Sequence, residues 1–286
     1  MGIEGYVEPI LTYLNEEYNF VYFEKNKLIA RDSSMNNIEH KSINKIFPSN
    51  HDYCAILDDR IDVWAERKSL IKIYPYYYFP HPFCSNQSIK NKVNEKSLNE
   101  DVFLLVSSYI LKFIWYVFFY ILDKKNKNLP VKDILTLKKR EIFKNMYILI
   151  LNVSTEESNY LKYVITSFGG VIKTVYDDEV NIVLIGEGSN GSKDNLINSS
   201  IFNCECLMSI YIVYCELFYV KLSYDKFRYS DYTILKEAKS KNEKLHNNII
   251  NSYNHLNMFN IEKNNIEKFY SKDSAIQFAN IHLNLI

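Results

Sequence analysis

Twenty consecutive residues, 102–121 (VFLLVSSYILKFIWYVFFYI), carry one charge among them, Lys112. Such a run has two outlets. It is nearly long enough to cross a bilayer as a helix, or it is a core helix that is apolar on most of its faces. Lys112 lies near the middle, where insertion into a membrane would cost roughly 2.5–3.5 kcal/mol; a buried helix accounts for the run as well. A connector rich in Asn, Ser and Lys (85–100) precedes it, and a Lys/Asn loop ending at Pro130 follows, before a short helical lead at Val131–Leu135. Met1 to Tyr13 carries acids and no basic start, so the sequence opens without the pattern of a signal peptide.

Upstream, Cys54-Ala55-Ile56-Leu57 has the length and composition of a strand and stops at two adjacent carboxylates, Asp58 and Asp59. Arg60, Asp62 and Trp64 follow, then a second apolar-alternating run, Leu70 to Tyr74, that leads into Pro75 and an aromatic cluster. In an open parallel sheet, ligands bind just beyond the carboxyl ends of strands. Two acids at such an edge suit a hard cation such as Mg2+. A solvated, ion-paired Asp-Asp-Arg turn is the alternative reading. Ahead of this stretch, helical spacing covers Met1–Asn15, strands are expected at Asn19–Phe23 and Lys27–Asp32, and Lys41–Phe47 reads as a helix stopped before Pro48.

The second half follows a strand, helix, strand, strand, helix pattern. Met146–Leu151 is an apolar run, and Glu157–Phe168 places Leu161, Val164, Ile165 and Phe168 on one helical face. Gly169-Gly170 ends that helix, and Val171–Val175 and Asn181–Ile185 read as strands. Alternating elements of this kind imply a small, mainly parallel sheet. The remainder, 231–286, is rich in Lys, Asn and Glu with sparse apolar pairs such as Ile266 with Phe269-Tyr270, and reads as a polar, solvated extension, partly helical and otherwise disordered.

At 286 residues the chain fits one large or two ordinary domains, and its 47% hydrophobic content supports real cores. A formal net charge of +0 argues against a broad electrostatic grip on nucleic acid or on acidic membranes. The five cysteines, Cys54, Cys84, Cys204, Cys206 and Cys215, are odd in number and show no framework spacing, as expected in a reducing, intracellular setting. Cys204-x-Cys206 and His81-x-x-Cys84 lack the second pair that a zinc site needs.

The residues DDRIDVW with SLIKIYPYYYF downstream resemble the third acidic motif of the Fcp-type protein phosphatases, haloacid dehalogenase (HAD) superfamily enzymes acting on the C-terminal domain of RNA polymerase II. MGIEGYVEPILTYLN, LIARDSS and HKSINKIFP are similar to three further stretches of the same FCP homology domain, in order. The resemblance implies a parallel α/β sheet, Mg2+ held by Asp59, an orienting role for Asp58, and a phosphate-neutralising lysine at Lys41, with Lys45 as runner-up. The family's nucleophile lies in an Asp-x-Asp-x-Thr signature, and the sequence contains no such signature. On that ground the first strand of the sheet is expected to be missing, through a truncated gene model or a decayed enzyme.

Residues 141–229 resemble a BRCT domain, a phosphoprotein-interaction module that the same phosphatases carry. Gly169-Gly170 is one hallmark; Tyr211, in a position usually held by Trp, four residues before Cys215 is another, and Phe227 stands at the closing aromatic. The resemblance implies phosphopeptide contacts from Ser154 or Thr155 and from Lys193, although Ser154 fits equally as a helix cap. The expected division is 1–84 phosphatase, 85–140 linker, 141–229 BRCT and 230–286 tail. The implied function is a nuclear serine/threonine phosphatase of the polymerase C-terminal domain, with a tail that in the family binds TFIIF, and with no nucleic-acid or membrane partner. The alternative is an inactive BRCT-containing phosphoprotein binder.

Overall fold

The computed structural model describes residues 41–73, 102–126, 128–186, 202–229 and 263–282, together with five isolated positions between Pro9 and Glu17 that are helical. The strands expected at Asn19–Phe23 and Lys27–Asp32, the rest of the Met1–Asn15 helix, the 85–100 connector, Lys193 and residues 230–262 lie outside the described residues. The chain divides into two compact units, Met1–Lys72 with Pro130–Lys132, and Ile73–Leu129 with Asp133–Ile286.

In the first unit, β1 (Ile56–Asp58) runs parallel to β2 (Leu70–Lys72), with Asp58 opposite Lys72 at the carboxyl end. Ile43, Ile56 and Leu70 are buried together, and Phe47, Cys54, Ile61 and Trp64 pack around them. The helix expected over Lys41–Phe47 does not form; only a 3-10 turn at Ile43–Lys45 appears. Lys41 is committed elsewhere. Its amide donates to Val63 O at 2.6 Å and its carbonyl accepts from Ala65 N at 2.9 Å, a parallel bridge to Trp64. Glu66 then takes the Ser42 hydroxyl at 2.6 Å and the Ile43 amide at 3.2 Å. Backbone already paired at its first residue cannot enter a helical hydrogen-bond series, so tertiary contacts override the local periodicity.

The second unit holds a parallel sheet of order β4-β3-β5-β6, with β3 (Tyr147–Leu151), β4 (Val171–Lys173), β5 (Ile182–Ile185) and β6 (Glu205–Met208). All four residues of β5 are buried, as expected for an inner strand covered on both faces. Beyond β6 the sheet is closed by a short antiparallel bridge between Leu207 and Arg228. The fourth strand, β6, was not among the sequence expectations. Helix α3 (Thr155–Ser167) buries Leu161, Val164 and Ile165. It ends at Gly169, whose φ of +90° places a would-be Cβ 2.1 Å from the Arg140 carbonyl oxygen. Glycine is required there both by backbone conformation and by space. Helix α4 (Ile210–Phe218) buries Tyr211 and Cys215 completely. Tyr211 Oη donates to Leu222 O at 3.3 Å, and its ring meets Phe227 edge-on at 5.3 Å.

The apolar run forms α1 (Val102–Lys125), and the lead after it forms α2 (Val131–Arg140). By length and composition alone, Leu104–Lys125 could cross a membrane, with a mean hydropathy of 1.7. One face, carrying Val106, Ile110, Phe113, Val117 and Ile121, is buried. It packs against α5 (Lys272–His282). Residues 263–269 are also helical, and Ile266, Tyr270, Ala275, Phe278 and Ala279 are buried. This part of the tail is therefore packed structure rather than a solvated extension. Tyr109 Oη donates to Glu267 Oε1 at 2.8 Å. The Lys138 ammonium, paired with Glu141 at 2.8 Å, stands 3.6 Å from the Phe269 ring centroid and 4.6 Å from that of Phe113.

Candidate active site

The chemistry-bearing residues of the first unit gather where β1 ends. Asp58 is the last residue of that strand, and its two carboxylate oxygens take three donors. Oδ1 accepts the Arg60 amide at 2.9 Å. Oδ2 accepts the Lys41 ammonium at 2.7 Å and the Trp64 indole N–H at 2.8 Å. The Asp58 side chain is 14% exposed and that of Lys41 22%, so the pair is largely shielded from solvent. Burial by itself would raise the Asp58 carboxyl. The hydrogen bonds from Lys41, the Arg60 amide and Trp64, with the neighbouring Asp59 side chain, outweigh it and hold the group at about 2. Asp58 is thus a fixed carboxylate that holds a lysine in place.

Asp59 is the opposite case, an exposed residue just past the strand end. Arg60 turns to Asp62 through contacts of 3.2 and 2.5 Å. Both side chains are more than 60% exposed, and such surface pairs contribute little. Lys45, the other lysine considered, is exposed in the 3-10 turn. Lys41 and Asp58, expected to serve one site, do meet.

Among the described residues no three or more His, Cys, Asp or Glu side chains gather into a metal cage. Mg2+ does not require one: it keeps several waters and is commonly bound through one or two carboxylates plus substrate phosphate. Asp59, exposed beside a carboxylate whose oxygens are already engaged, has the chemistry for that role.

Comparison with known proteins bears on this geometry. No protein-family model matches the chain. A curated RNA polymerase II C-terminal domain phosphatase from Encephalitozoon cuniculi is 34% identical over 108 residues, which is 36% of this chain and 25% of that protein. The protein of the same description from Schizosaccharomyces pombe is 28% identical over 79 residues, 28% of this chain and 10% of that protein. Over these segments the chain is similar to two proteins described as RNA polymerase II C-terminal domain phosphatases. The matches span a quarter or less of the length of these relatives. In structure, a point variant of the fission yeast RNA polymerase II CTD phosphatase Fcp1, bound to beryllium fluoride, superposes with a TM-score of 0.58 at 16% identity, covering 80% of this chain and 74% of the other. A second structure of Fcp1, described as an essential RNA polymerase II CTD phosphatase, gives 0.57 at 16% identity over 79% and 73%. What is shared with these two structures is the fold, a parallel α/β arrangement.

Of the residues considered for phosphopeptide binding, Lys193 lies outside the described residues and Ser154 and Thr155 lie at the start of α3. Ser154 caps α3, its hydroxyl oxygen accepting the Glu157 amide at 3.2 Å, and Thr155 begins that helix. Glu157 in turn accepts the Ser209 hydroxyl at 2.6 Å. Cys204 and Cys206 are free thiols. Burial raises both, Cys206 to about 11, which keeps them as thiols and makes them weak nucleophiles at neutral pH. Sequence reasoning passed over two contributors to the Lys41–Asp58 site, the indole of Trp64 and the carboxylate of Glu66. Trp64 was visible as part of DDRIDVW, but its donor role was not. Glu66 carries no motif signal, since only the folded backbone brings it to Ser42.

Proposed function

We propose that this chain is part of a Mg2+-dependent protein serine/threonine phosphatase that acts in the nucleus on the phosphorylated C-terminal domain of RNA polymerase II. The observation that carries the reading is the shielded Lys41–Asp58 pair at the carboxyl end of β1, in a chain related to enzymes of that description. Lys41 neutralises the phosphoryl group of the substrate, because a positive donor fixed in advance offsets charge that develops during transfer. Asp58 keeps that ammonium oriented. Asp59 holds Mg2+, which when bound supplies charge neutralisation to the phosphate oxygens. Residues 1–84 represent the FCP homology part, 85–140 a linker, 141–229 the BRCT part and 230–286 the tail; TFIIF is a candidate partner of the tail.

A second reading has one observation in its favour. In it the chain binds phosphoproteins through residues 141–229 rather than hydrolysing them. Here the four-stranded parallel order β4-β3-β5-β6 and the buried Tyr211 and Cys215 support a BRCT-like module.

The test is release of inorganic phosphate from phosphoserine-containing peptides of the polymerase C-terminal domain, with the complete gene product and Mg2+. Lys41→Met and Asp58→Asn are each expected to lower kcat/KM by about 10²–10³-fold. Undiminished turnover in both variants would sink the assignment of this site. Tight peptide binding without turnover in the unaltered protein would favour the second reading.

A further inference from the structure

Lys41 and Asp58 lie seventeen residues apart, and one residue beyond them in the chain touches both. Trp64 donates its indole N–H to Asp58 Oδ2 at 2.8 Å, the same oxygen that accepts Lys41 Nζ at 2.7 Å. Its ring lies under the lysine, with Nζ 5.2 Å from the centroid. Its backbone is the bridge partner of Lys41, flanked by the Lys41 N to Val63 O and Ala65 N to Lys41 O hydrogen bonds. Trp64 therefore fixes the height of the Lys41 backbone, the rotation of its counter-ion and the face over which its ammonium stands.

We infer that Trp64 is a positioning residue that sets the place of the Lys41 ammonium through a shared hydrogen bond to Asp58. The inference rests on the phosphatase reading for its kinetic consequence, but not for its geometry. The Arg60 amide holds Oδ1, but about that one anchor the carboxylate can still turn on its terminal torsion, which is broad, and the ammonium on Oδ2 can follow it. The indole N–H on Oδ2 is the second anchor and narrows that freedom. Glu66 restrains the adjoining turn through Ser42 and the Ile43 amide, so the lysine is held from both sides of its backbone. A lysine displaced by a fraction of an ångström from the developing charge still binds the phosphate but stabilises its transfer less, because preorganisation is what such donors contribute.

The deciding variants are Trp64→Phe, which keeps a ring and loses the donor, and replacement of Trp64 by benzothienylalanine, which keeps the bicyclic outline and puts sulfur in place of N–H. In the full-length protein each is expected to lower kcat on a phosphoserine peptide by about 10-fold with KM within about twofold, since only the transition-state interaction is lost. Two readouts need no turnover. The chain has two tryptophans, so the indole N–H signal of Trp64 is assigned by its loss in Trp64→Phe. It is expected to move upfield in Asp58→Ala. The Lys41 ammonium protons, slowed in exchange by Asp58, are expected in a 15N-selected lysine spectrum and broadened beyond detection in both Trp64 variants. An unmoved indole signal, or an unchanged lysine signal in the benzothienyl variant, overturns the inference, and so does an unchanged kcat in an active enzyme. If the unaltered protein shows no turnover on any phosphoserine peptide, the phosphatase reading fails, and the two spectra alone decide the role of Trp64.

Discussion

Two adjacent carboxylates, Asp58 and Asp59, have contrasting surroundings, and the contrast comes from where β1 stops. Asp58, the last strand residue, keeps its side chain in the shielded layer among three donors; Asp59, one residue on, is exposed. A half-buried charge in the second unit meets a different balance. Lys139 stands 5.3 Å from the Tyr219 ring centroid. Burial pushes its ammonium down to about 8, and the Glu216 carboxylate only partly offsets this. A lysine whose folded value lies below its unfolded one is protonated less in the folded state between about pH 8 and 10.5, so its contribution to stability rises with pH across that window and is a penalty below it. Lys139→Met is accordingly expected to raise the melting temperature at pH 7 and to lose the relative gain seen in the unaltered protein between pH 8 and 9.5. Parallel thermal denaturation curves for the two proteins across that range would contradict this account.

At the scale of elements, the legible features were those whose signal is local. Asp58 and Asp59 closing an apolar run placed the end of β1 correctly, Gly169-Gly170 placed the end of α3, and the long apolar run placed α1. Where contacts distant in sequence decide, local signal failed. Helical spacing over Lys41–Phe47 lost to the bridge with Trp64 and to Glu66. Strand β6 was missed because it is four residues long and opens on a charged residue, Glu205; it forms by pairing with β5 along its whole length. Gly169 carries a direct prediction at this scale. Gly169→Ala must accept a φ of +90° and a contact at 2.1 Å with the Arg140 carbonyl, which is expected to cost at least about 2 kcal/mol. Chemical denaturation measures it, and a midpoint within error of the unaltered protein would show that the turn relaxes freely.

At the scale of the molecule, the second unit joins segments far apart in sequence. Phe113 of α1 meets Tyr270 and Phe278 edge-on at 5.7 and 5.4 Å, and Tyr109 reaches Glu267. No pattern in 263–282 signalled this, because its apolar residues are sparse and acquire meaning only against the face they cover. Phe278 is 1% exposed, and Phe278→Ala is expected to cost about 3–5 kcal/mol through lost burial and the cavity left behind. Faster amide hydrogen exchange along α1 is the accompanying observation; unchanged exchange there would mean that α1 does not depend on its partner.

That pairing also has a timetable. Tyr109 and Glu267 are separated by 158 positions, and ribosomes add roughly 5–20 residues per second. For roughly 8–30 s after α1 leaves the exit tunnel, the helix that covers it has not yet been translated. During each round of synthesis an apolar segment of membrane-span length waits in the cytosol without its cover, and holding chaperones, or the targeting machinery that captures such segments, compete for it in that interval.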